Sequence, residues 1–379
     1  MVEMCHALIG QGVDTLIATT DADGSGRLDV EIGRAVSYKN VPTIFFPRQW
    51  SEAFKYSRPL ARWLHQSVEG FDVVHIHAVF SHACLAAATA CREKGVPYIV
   101  RPLGSLDPWS LKQKRLKKIL FWHLGVKRML DGAAAIHYTT DAEREAAERS
   151  VSAGRGVVVP LGIEEQFMNE VAEGSENKSR DPSAKSPYVL VLSRLHQKKG
   201  LELLLPAFLS VVKQAEFAGW KLVLVGEGES KYVESLKRLV HSCGGNGNVV
   251  FAGWLDGAQR SDALREASLL ALTSYQENFG LCAVEAMACG VPVMLSPHVN
   301  LSDDVRKAGA GWVSELNTAA LQRTLAESLR DQKELTRRGA LGKELVRQRF
   351  TWDAVAKTLT DLYVSIAANG KKQSEYRSA

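Results

Sequence analysis

The chain alternates short β-rich apolar runs with stretches of helical period over nearly its whole length. One clear example is FDVVHIH at 71–77, followed by a helical stretch at 81–94 that ends at Gly95 and Pro97. This alternation is typical of βαβ units, whose strands form parallel sheets. We therefore expect an α/β protein.

A polar segment divides this rhythm into two halves. Residues 169–187 contain Gly, Ser and Pro without any periodicity, as linkers do, and a β-rich run begins directly after them. The length of 379 residues suits two domains of roughly 150 residues each. We expect a first domain at 1–168, a second domain at 188–350, and a terminal helix at 351–368 that joins the first domain.

Composition argues against several classes of protein. No apolar run is long enough to span a bilayer, and the start MVEMCHALIGQGVD lacks the features of a signal peptide. The six cysteines show no Cys-x-x-Cys spacing, which predicts buried reduced thiols rather than disulfides or a zinc site. We therefore predict a cytoplasmic location.

The net charge of +5 is unevenly placed. Five cations lie within 112–118, and apolar residues interleave with them and continue to Trp122. One interpretation is a solvated helix face, and another is peripheral contact of residues 112–122 with anionic lipid on the inner face of the membrane. No recognition motif supports nucleic acid as a partner.

The most informative segment is SYQENFGLCAVEAMACGVPV at 274–293. Glu277 falls in a predicted βα turn, and Glu285 lies eight residues later inside the helix that starts near Gly280. Ligands of open α/β sheets bind beyond the carboxyl ends of the strands, and the first amides of such a helix suit a pyrophosphate. The alternative is two solvated carboxylates, but Glu285 is flanked by small and apolar residues, so a buried carboxylate there would need partners.

Two further segments point to the same kind of site. In LSRLHQKKG at 192–200, Arg194 and Lys199 can converge on one anion across a βα turn. In VGEGE, Gly226 and Gly228 permit a tight turn, but they do not form the Gly-x-Gly-x-x-Gly fingerprint. A nicotinamide-dependent oxidoreductase is therefore disfavoured.

These segments, together with FAGWL at 251–255, resemble the donor-binding domain of the retaining glycosyltransferases of family four. The resemblance covers nearly the whole chain, and its specific part is the Glu, seven residues, Glu motif. It implies the GT-B fold, in which two Rossmann-like domains face each other across a cleft. It also implies this donor-binding set: Arg194, Lys199, Gly226, Gly228, Trp254, Leu255, Glu277, Asn278, Phe279, Gly280, Leu281 and Glu285.

The resemblance assigns roles within that set. Arg194 and Lys199 would hold the donor diphosphate, Glu277 the transferred sugar and Glu285 the ribose, while the segment at 253–255 would border the base. Together with His77 from the first domain, Glu277, Arg194 and Lys199 are the expected catalytic residues. On the acceptor side it implies Arg101, Gly104, Ser105, Thr140 and Glu143, whereas His75 is expected to be a core histidine.

Two further features qualify the resemblance. The strand and Gly-rich turn with which this family opens have no counterpart before the predicted first helix, so we expect the first domain to lack that strand. No Asp-x-Asp is found where a metal would bridge the phosphates, so we expect no metal and no cofactor beyond the donor.

The sequence thus predicts a retaining glycosyltransferase that uses a nucleotide-diphosphate sugar and a lipid-linked or polysaccharide acceptor in cell-surface glycan biosynthesis. Two alternatives stay open. One is a non-catalytic or truncated nucleotide-sugar-binding protein, and the other is a sugar-nucleotide epimerase on the same fold.

Overall fold

A computed structural model describes residues 1–52, 54–113, 115–151, 154–164, 167–168, 186–245 and 247–378. Lys114 and residues 169–185 of the predicted linker lie outside the described residues. The chain divides into two compact units, one formed by Met1–Gly162 with Trp352–Ala379 and the other by Ile163–Thr351.

The described residues of the first unit begin with a helix and form nine strands. In chain order its elements are α1 (Val2–Gly10), β1 (Ile17–Thr20), β2 (Ala22–Asp23), β3 (Gly26–Arg27), β4 (Ala35–Tyr38), β5 (Val41–Phe46), α2 (Arg58–Ser67), β6 (Val74–His77), α3 (His82–Lys94), β7 (Tyr98–Arg101), α4 (Pro108–Lys112), α5 (Arg115–Phe121), a π-helical turn (Trp122–Val126), α6 (Lys127–Asp131), β8 (Ala135–Tyr138), α7 (Asp141–Glu148) and β9 (Gly156–Val158).

The second unit alternates strands and helices until two helices close it. Its elements are β10 (Tyr188–Leu192), α8 (Leu201–Val212), β11 (Lys221–Val225), α9 (Ser230–Ser242), β12 (Val249–Gly253), α10 (Gly257–Glu266), β13 (Leu269–Leu272), α11 (Leu281–Ala288), β14 (Val293–Leu295), α12 (Ser302–Ala308), β15 (Gly311–Val313), α13 (Thr318–Arg330) and α14 (Gln332–Arg349). The last helix, α15 (Trp352–Ser378), belongs to the first unit and is longer than the predicted 351–368.

The sheets are mainly parallel, as the alternation predicts. In the second unit six parallel strands follow the order β12-β11-β10-β13-β14-β15. In the first unit β6-β7-β8-β9 form a parallel sheet, and β1-β5-β4 form a separate mixed sheet in which β1 and β5 are parallel. Apolar residues of α8, α9 and α13 form one core with the strands of the second unit.

Two antiparallel pairs in the first unit depart from the parallel expectation. β4 pairs with β5, and β2 pairs with β3. Each pair is joined by only two residues, and a connection that short can join only antiparallel strands. In the β4–β5 turn Lys39 and Asn40 both have positive φ, as a tight hairpin that matches the strand twist requires.

Helix α15 packs on α1, and one face of it completes a core of the first unit. Val355, Ala356 and Leu359 are buried there against Met4 and Leu8. Among the described residues, no helix combines the length and the apolar content needed to cross a membrane. All six cysteines are free thiols, three of them buried, and burial raises the pKa of the Cys91 thiol to about 12.

A chain of buried and half-buried hydrogen bonds ties α15 to the parallel sheet. The His137 Nε2 lies 2.7 Å from the carbonyl oxygen of Val159, which can only accept, so this nitrogen carries the proton. The His137 Nδ1 then accepts from the His75 Nε2 at 3.2 Å, and the His75 Nδ1 accepts from the Tyr363 hydroxyl at 2.7 Å. Both imidazoles are neutral because burial lowers their pKa. His75 is half-buried with both ring nitrogens hydrogen-bonded, which agrees with the structural role expected for it.

Burial of these imidazoles makes the stability of the first unit depend on pH. Burial is the main cause that lowers the pKa of His137 from its ordinary value of 6.5 to about 3, and it lowers the pKa of His75 in the same direction. The unfolded chain therefore binds more protons than the folded chain below about pH 6.5, so stability is present above that pH and is lost as pH falls.

We expect the free energy of unfolding, measured by urea denaturation, to fall by about 2 kcal/mol for His137 alone between pH 7.5 and pH 5. His137→Gln, whose amide can still donate to Val159, should flatten this pH slope while keeping the fold. An unchanged slope in a folded variant would contradict the assignment.

Candidate functional site

The candidate site lies at the point where the strand order of the second unit reverses. From β10 the chain moves outward to β11 and β12, and it then returns to β13 on the other side of β10 before continuing to β14 and β15. Crossovers on opposite sides leave a crevice at the carboxyl ends of β10 and β13, where ligands of open α/β sheets bind. The turns that carry Lys199 and Glu277 follow these two strands.

The turn after β11 lies against the turn after β10 because two of its residues are glycines. A Cβ added at Gly226 would lie 2.0 Å from the carbonyl oxygen of Ser193, and one at Gly228 would lie 2.0 Å from that of Leu195. The Leu195 amide donates to the Glu227 carbonyl oxygen at 2.7 Å. Gly226 and Gly228 thus brace the loop that carries Arg194.

The turn after β13 is held against the turn after β10 in the same way. Gly200 has φ +64, and a Cβ there would lie 2.3 Å from the carbonyl oxygen of Thr273. The Tyr275 amide donates to the Lys198 carbonyl oxygen at 2.8 Å, and the Thr273 hydroxyl donates to the Lys199 carbonyl oxygen at 3.1 Å. Glycine is therefore required at this close approach.

Helix α11 begins at Leu281, directly after Gly280, whose φ of +86 is strained for residues with a side chain. No side chain of the described residues caps this end, so its first amides are available to a ligand. Leu281 is 42% exposed, whereas Phe279 is buried edge-to-face against Phe350. An anionic group placed here would gain from both the amides and the helix dipole.

Lys199 and Glu277 form a half-buried ion pair beside this helix end. The Lys199 Nζ donates to the Glu277 Oε2, and the Ser274 hydroxyl donates to the same oxygen at 3.4 Å. The backbone of Glu277 is fixed as well, since its amide donates to the His298 carbonyl oxygen at 3.0 Å. The structure thus brings together two of the residues predicted for the donor.

Glu285 is buried and forms an ion pair with Arg260 of α10. Burial raises the pKa of the Glu285 carboxyl above its ordinary value, and the Arg260 cation opposes that shift. The Arg260 guanidinium also lies 5.3 Å from the centre of the Phe167 ring. The sequence indicates that a buried Glu285 needs a partner, but nothing in GAQRSDALRE distinguishes the half-buried Arg260 as that partner.

The other predicted donor residues lie in the turns after β10, β12 and β13. Arg194 is exposed in the loop after β10, and Trp254 is 68% exposed directly after β12. Leu255 follows it and is half-buried, and Asn278 precedes Phe279 in the turn before α11. The Gly226 amide donates to the Gly253 carbonyl oxygen at 2.7 Å, so the segment at 253–255 adjoins the braced turns.

In the first unit, Glu143 connects two of the predicted acceptor-side turns. Its Oε1 accepts from the Gly104 amide at 2.7 Å, and its Oε2 accepts from the Thr139 amide and hydroxyl, each at 2.7 Å. The Thr140 hydroxyl caps α7 by accepting from the Glu143 amide at 3.0 Å. Glu143 is buried, so its carboxylate positions the Gly104 loop.

Arg101, Ser105 and His77 lie close to this network in sequence or in space. Arg101 is 3% exposed, and among the described residues its Nε and one terminal nitrogen have no hydrogen-bond partner. Burial, followed by the Arg101 cation, lowers the pKa of His77 well below its ordinary value, so His77 is neutral. The Ser105 hydroxyl donates to the Pro102 carbonyl oxygen at 2.5 Å. In the part of the chain that the structure describes, no cluster of His, Cys, Asp and Glu could hold a metal ion.

Two family models match the chain. Residues 1–162 match a family described as "Glycosyl transferase 4-like domain", and residues 174–344 match "Glycosyl transferases group 1". The second match contains Arg194, Lys199, Glu277 and Glu285, and together the two matches cover most of the chain.

Named relatives agree with these families. The chain is 27% identical over 246 residues to a GDP-mannose-dependent alpha-(1-6)-phosphatidylinositol monomannoside mannosyltransferase of Mycobacterium tuberculosis, and this match spans 62% of this chain and 63% of that enzyme. It is 23% identical over 334 residues to a GDP-mannose:cellobiosyl-diphosphopolyprenol alpha-mannosyltransferase of Komagataeibacter xylinus, with 87% and 80% covered.

A solved structure extends the similarity to the whole fold. Sucrose-phosphate synthase from Thermosynechococcus elongatus superposes with a TM-score of 0.73 at 21% identity, covering 97% of this chain and 92% of that one. With both halves matched in sequence and the fold matched in space, this chain belongs to the glycosyltransferases of family four and has the GT-B fold.

Proposed function

We propose that this chain is a retaining, metal-independent glycosyltransferase. It transfers a sugar from a nucleotide-diphosphate sugar to a lipid-linked or polysaccharide acceptor in cell-surface glycan biosynthesis. The observation that carries this proposal is the pair of ion pairs, Lys199–Glu277 and Arg260–Glu285, beside the uncapped start of α11.

The chemistry needs charge stabilisation at two places. When the bond between sugar and diphosphate breaks, negative charge grows on the diphosphate and positive charge grows on the sugar ring. Arg194, Lys199 and the first amides of α11 stabilise the diphosphate, and fixed dipoles and cations of this kind supply much of the catalytic effect of enzymes. Glu277 accepts hydrogen bonds from the sugar, and Glu285 accepts them from the ribose.

The cations take the place of a metal ion in this proposal. Arg194 offers a planar set of donors and Lys199 a point charge, both of which suit phosphate oxygens. Residues 188–350, which carry the proposed donor site, contain no Asp-x-Asp segment, and this supports a reaction without Mg²⁺. Retention of the anomeric configuration is proposed from the family resemblance.

The acceptor side is assigned to the first unit. Its proposed residues are Glu143, which holds the adjoining turns, and Arg101, Gly104, Ser105 and Thr140. The first unit also supplies the proposed catalytic residue His77, which acts as a neutral imidazole near the reacting sugar. The printed names of the relatives include a phosphatidylinositol mannoside and a diphosphopolyprenol acceptor, with GDP-mannose as donor. Because of these names, GDP-mannose is the first donor to assay. The names also support a lipid-linked acceptor. Contact of residues 112–122 with the membrane is part of the same proposal.

We expect one nucleoside diphosphate to bind to the purified chain with micromolar affinity in isothermal titration with GDP and UDP. Glu285→Ala should weaken this binding by roughly 10–100-fold, because it removes a charged hydrogen-bond acceptor. Glu327→Ala, which changes an exposed carboxylate on α13, is the control and should bind like the parent.

The titration is repeated in EDTA, and the affinity should not change if the site needs no metal. A folded chain that binds neither nucleotide would refute the donor site. Binding without transfer to any lipid or glycan acceptor would instead support the non-catalytic alternative.

Lys199→Gln should discriminate between phosphates. We expect it to weaken binding of the nucleoside diphosphate by about tenfold or more and to affect the monophosphate less, because the lysine contacts the outer phosphate. Lys213→Gln, which changes an exposed lysine after α8, serves as the control. Equal losses for the two nucleotides would contradict the assigned contact.

A further inference from the structure

Helix α5 and the π-helical turn after it carry a row of exposed apolar side chains. Leu116, Leu120 and Leu124 are 84%, 59% and 68% exposed, and Ile119 beside them is 44% exposed. Leu116 and Leu120 are four residues apart in α5 and lie on the same side of that helix. Together with the exposed Leu124 of the π-helical turn, they form the leucine stripe. Most helices of a folded chain turn their apolar stripe inward, whereas this one turns it outward.

The opposite side of α5 holds the helix on the body of the unit. The Phe121 ring packs edge-to-face on Phe54, with ring centres 5.2 Å apart. The Lys118 Nζ lies 5.1 Å from the centre of the Phe80 ring and donates to the Ser110 carbonyl oxygen at 2.5 Å. The leucine stripe is therefore held outward by contacts on its far side.

The segment around this stripe is rich in cations, of which Lys127 is paired with Asp131 at 2.6 Å. Residues 108–130 contain seven Lys and Arg residues and no Asp or Glu. Lys112, Arg115 and Lys117 are exposed and make no ion pair with any described residue. A partner that binds the leucine stripe must therefore have a negatively charged surface and an apolar layer directly beneath that surface.

A cavity of about 310 Å³ lies at the end of the stripe, between α3 and the π-helical turn. Its apolar lining includes Leu85 and Leu124, and Arg92 and Arg128 supply its cations. The Arg92 guanidinium is oriented by a hydrogen bond to the Thr89 hydroxyl at 3.2 Å. Glu93 also lines the cavity, and its Oε2 lies 3.4 Å from the His65 Nε2.

We propose that the stripe, its cations and this cavity form one surface that docks on an anionic lipid bilayer, with a lipid phosphate held in the cavity by Arg92 and Arg128. This surface is called the lipid-facing surface below. The inference deepens the proposed function and rests on it for the lipid-linked acceptor.

The two parts of the lipid-facing surface suit the two layers of a bilayer leaflet. Leucine and isoleucine side chains at the boundary between headgroups and acyl chains gain from burial of apolar area, and the flanking cations gain from the negative surface potential. The cavity adds a guanidinium site for a phosphate next to leucines that can contact the lipid's chain. A protein partner would instead have to supply a continuous acidic and apolar face.

The first test is co-sedimentation of the full chain with vesicles of phosphatidylcholine alone and of phosphatidylcholine mixed with phosphatidylglycerol. We expect preferential binding to the mixed vesicles, weakened by salt. The variant Leu116→Ser/Leu120→Ser/Leu124→Ser should lose about tenfold or more of that binding. The control Val364→Ser removes an apolar side chain that is 65% exposed on α15, and it should change nothing.

The second test changes charge alone. Arg115→Gln and Lys117→Gln should each lower binding to the mixed vesicles by about fivefold. Arg323→Gln, which changes an exposed arginine of the second unit, should not. Equal binding to both kinds of vesicle, or full binding by the triple leucine variant, would overturn the proposal.

The third test addresses the cavity and separates a lipid phosphate from free phosphate. Monomeric short-chain phosphatidylglycerol and inorganic phosphate are titrated separately into the chain and into Arg128→Gln. We expect the lipid to bind more tightly than inorganic phosphate and to lose about fivefold or more in the variant. Equal affinity for the two ligands, or no effect of the variant, would refute the lipid-phosphate site.

Nucleotide titration of the same preparations separates the two proposals. If the triple leucine variant no longer binds vesicles but still binds the nucleotide, the lipid-facing surface acts independently of the donor site. A chain that binds vesicles but no nucleotide would support the lipid-facing surface and refute the donor site.

Discussion

The close approach of three backbone turns is the constraint on which the donor-side geometry depends. Gly200, Gly226 and Gly228 let the turns after β10, β11 and β13 touch through carbonyl oxygens and amides, at separations that leave no room for a Cβ. These contacts hold Lys199 beside Glu277 and keep the start of α11 open at the reversal of the strand order. The position of the charged side chains is therefore set by backbone contacts rather than by the side chains themselves.

The charges at this site are paired before any ligand arrives. Lys199 neutralises Glu277, and Arg260 neutralises the buried Glu285, so that no isolated charge is buried. An incoming donor with a diphosphate and several hydroxyls can exchange with these partners, offering oxygens to the cation and hydroxyl donors to the carboxylates. Such an exchange keeps the number of satisfied charges nearly constant, which limits the cost of removing water from the site.

The sequence predicted most strands of the parallel sheets and the placement of Glu277 and Glu285, because these follow from local apolar periodicity and from the turn before a helix. It did not predict Arg260, because its contact with Glu285 joins residues 25 positions apart on different helices. The hydrogen bond from the Gly104 amide to Glu143 could not be predicted from the sequence for the same reason, because these residues are 39 positions apart. For residues 112–122 the sequence left two interpretations open, since periodicity gives the angle of an apolar stripe but not the side on which the body of the protein lies.

The hydrogen-bond chain through Tyr363, His75 and His137 has a consequence for the alignment of the last helix. Each neutral imidazole donates once and accepts once, so the Val159 carbonyl at one end dictates the direction of every bond up to the hydroxyl on α15. A slide of α15 by one turn would place Leu359 or Ala367 opposite His75, and neither has a donor. The apolar face of α15 would tolerate such a slide better than this hydrogen-bond chain would. The hydrogen-bond chain therefore fixes the position of α15 along its own axis.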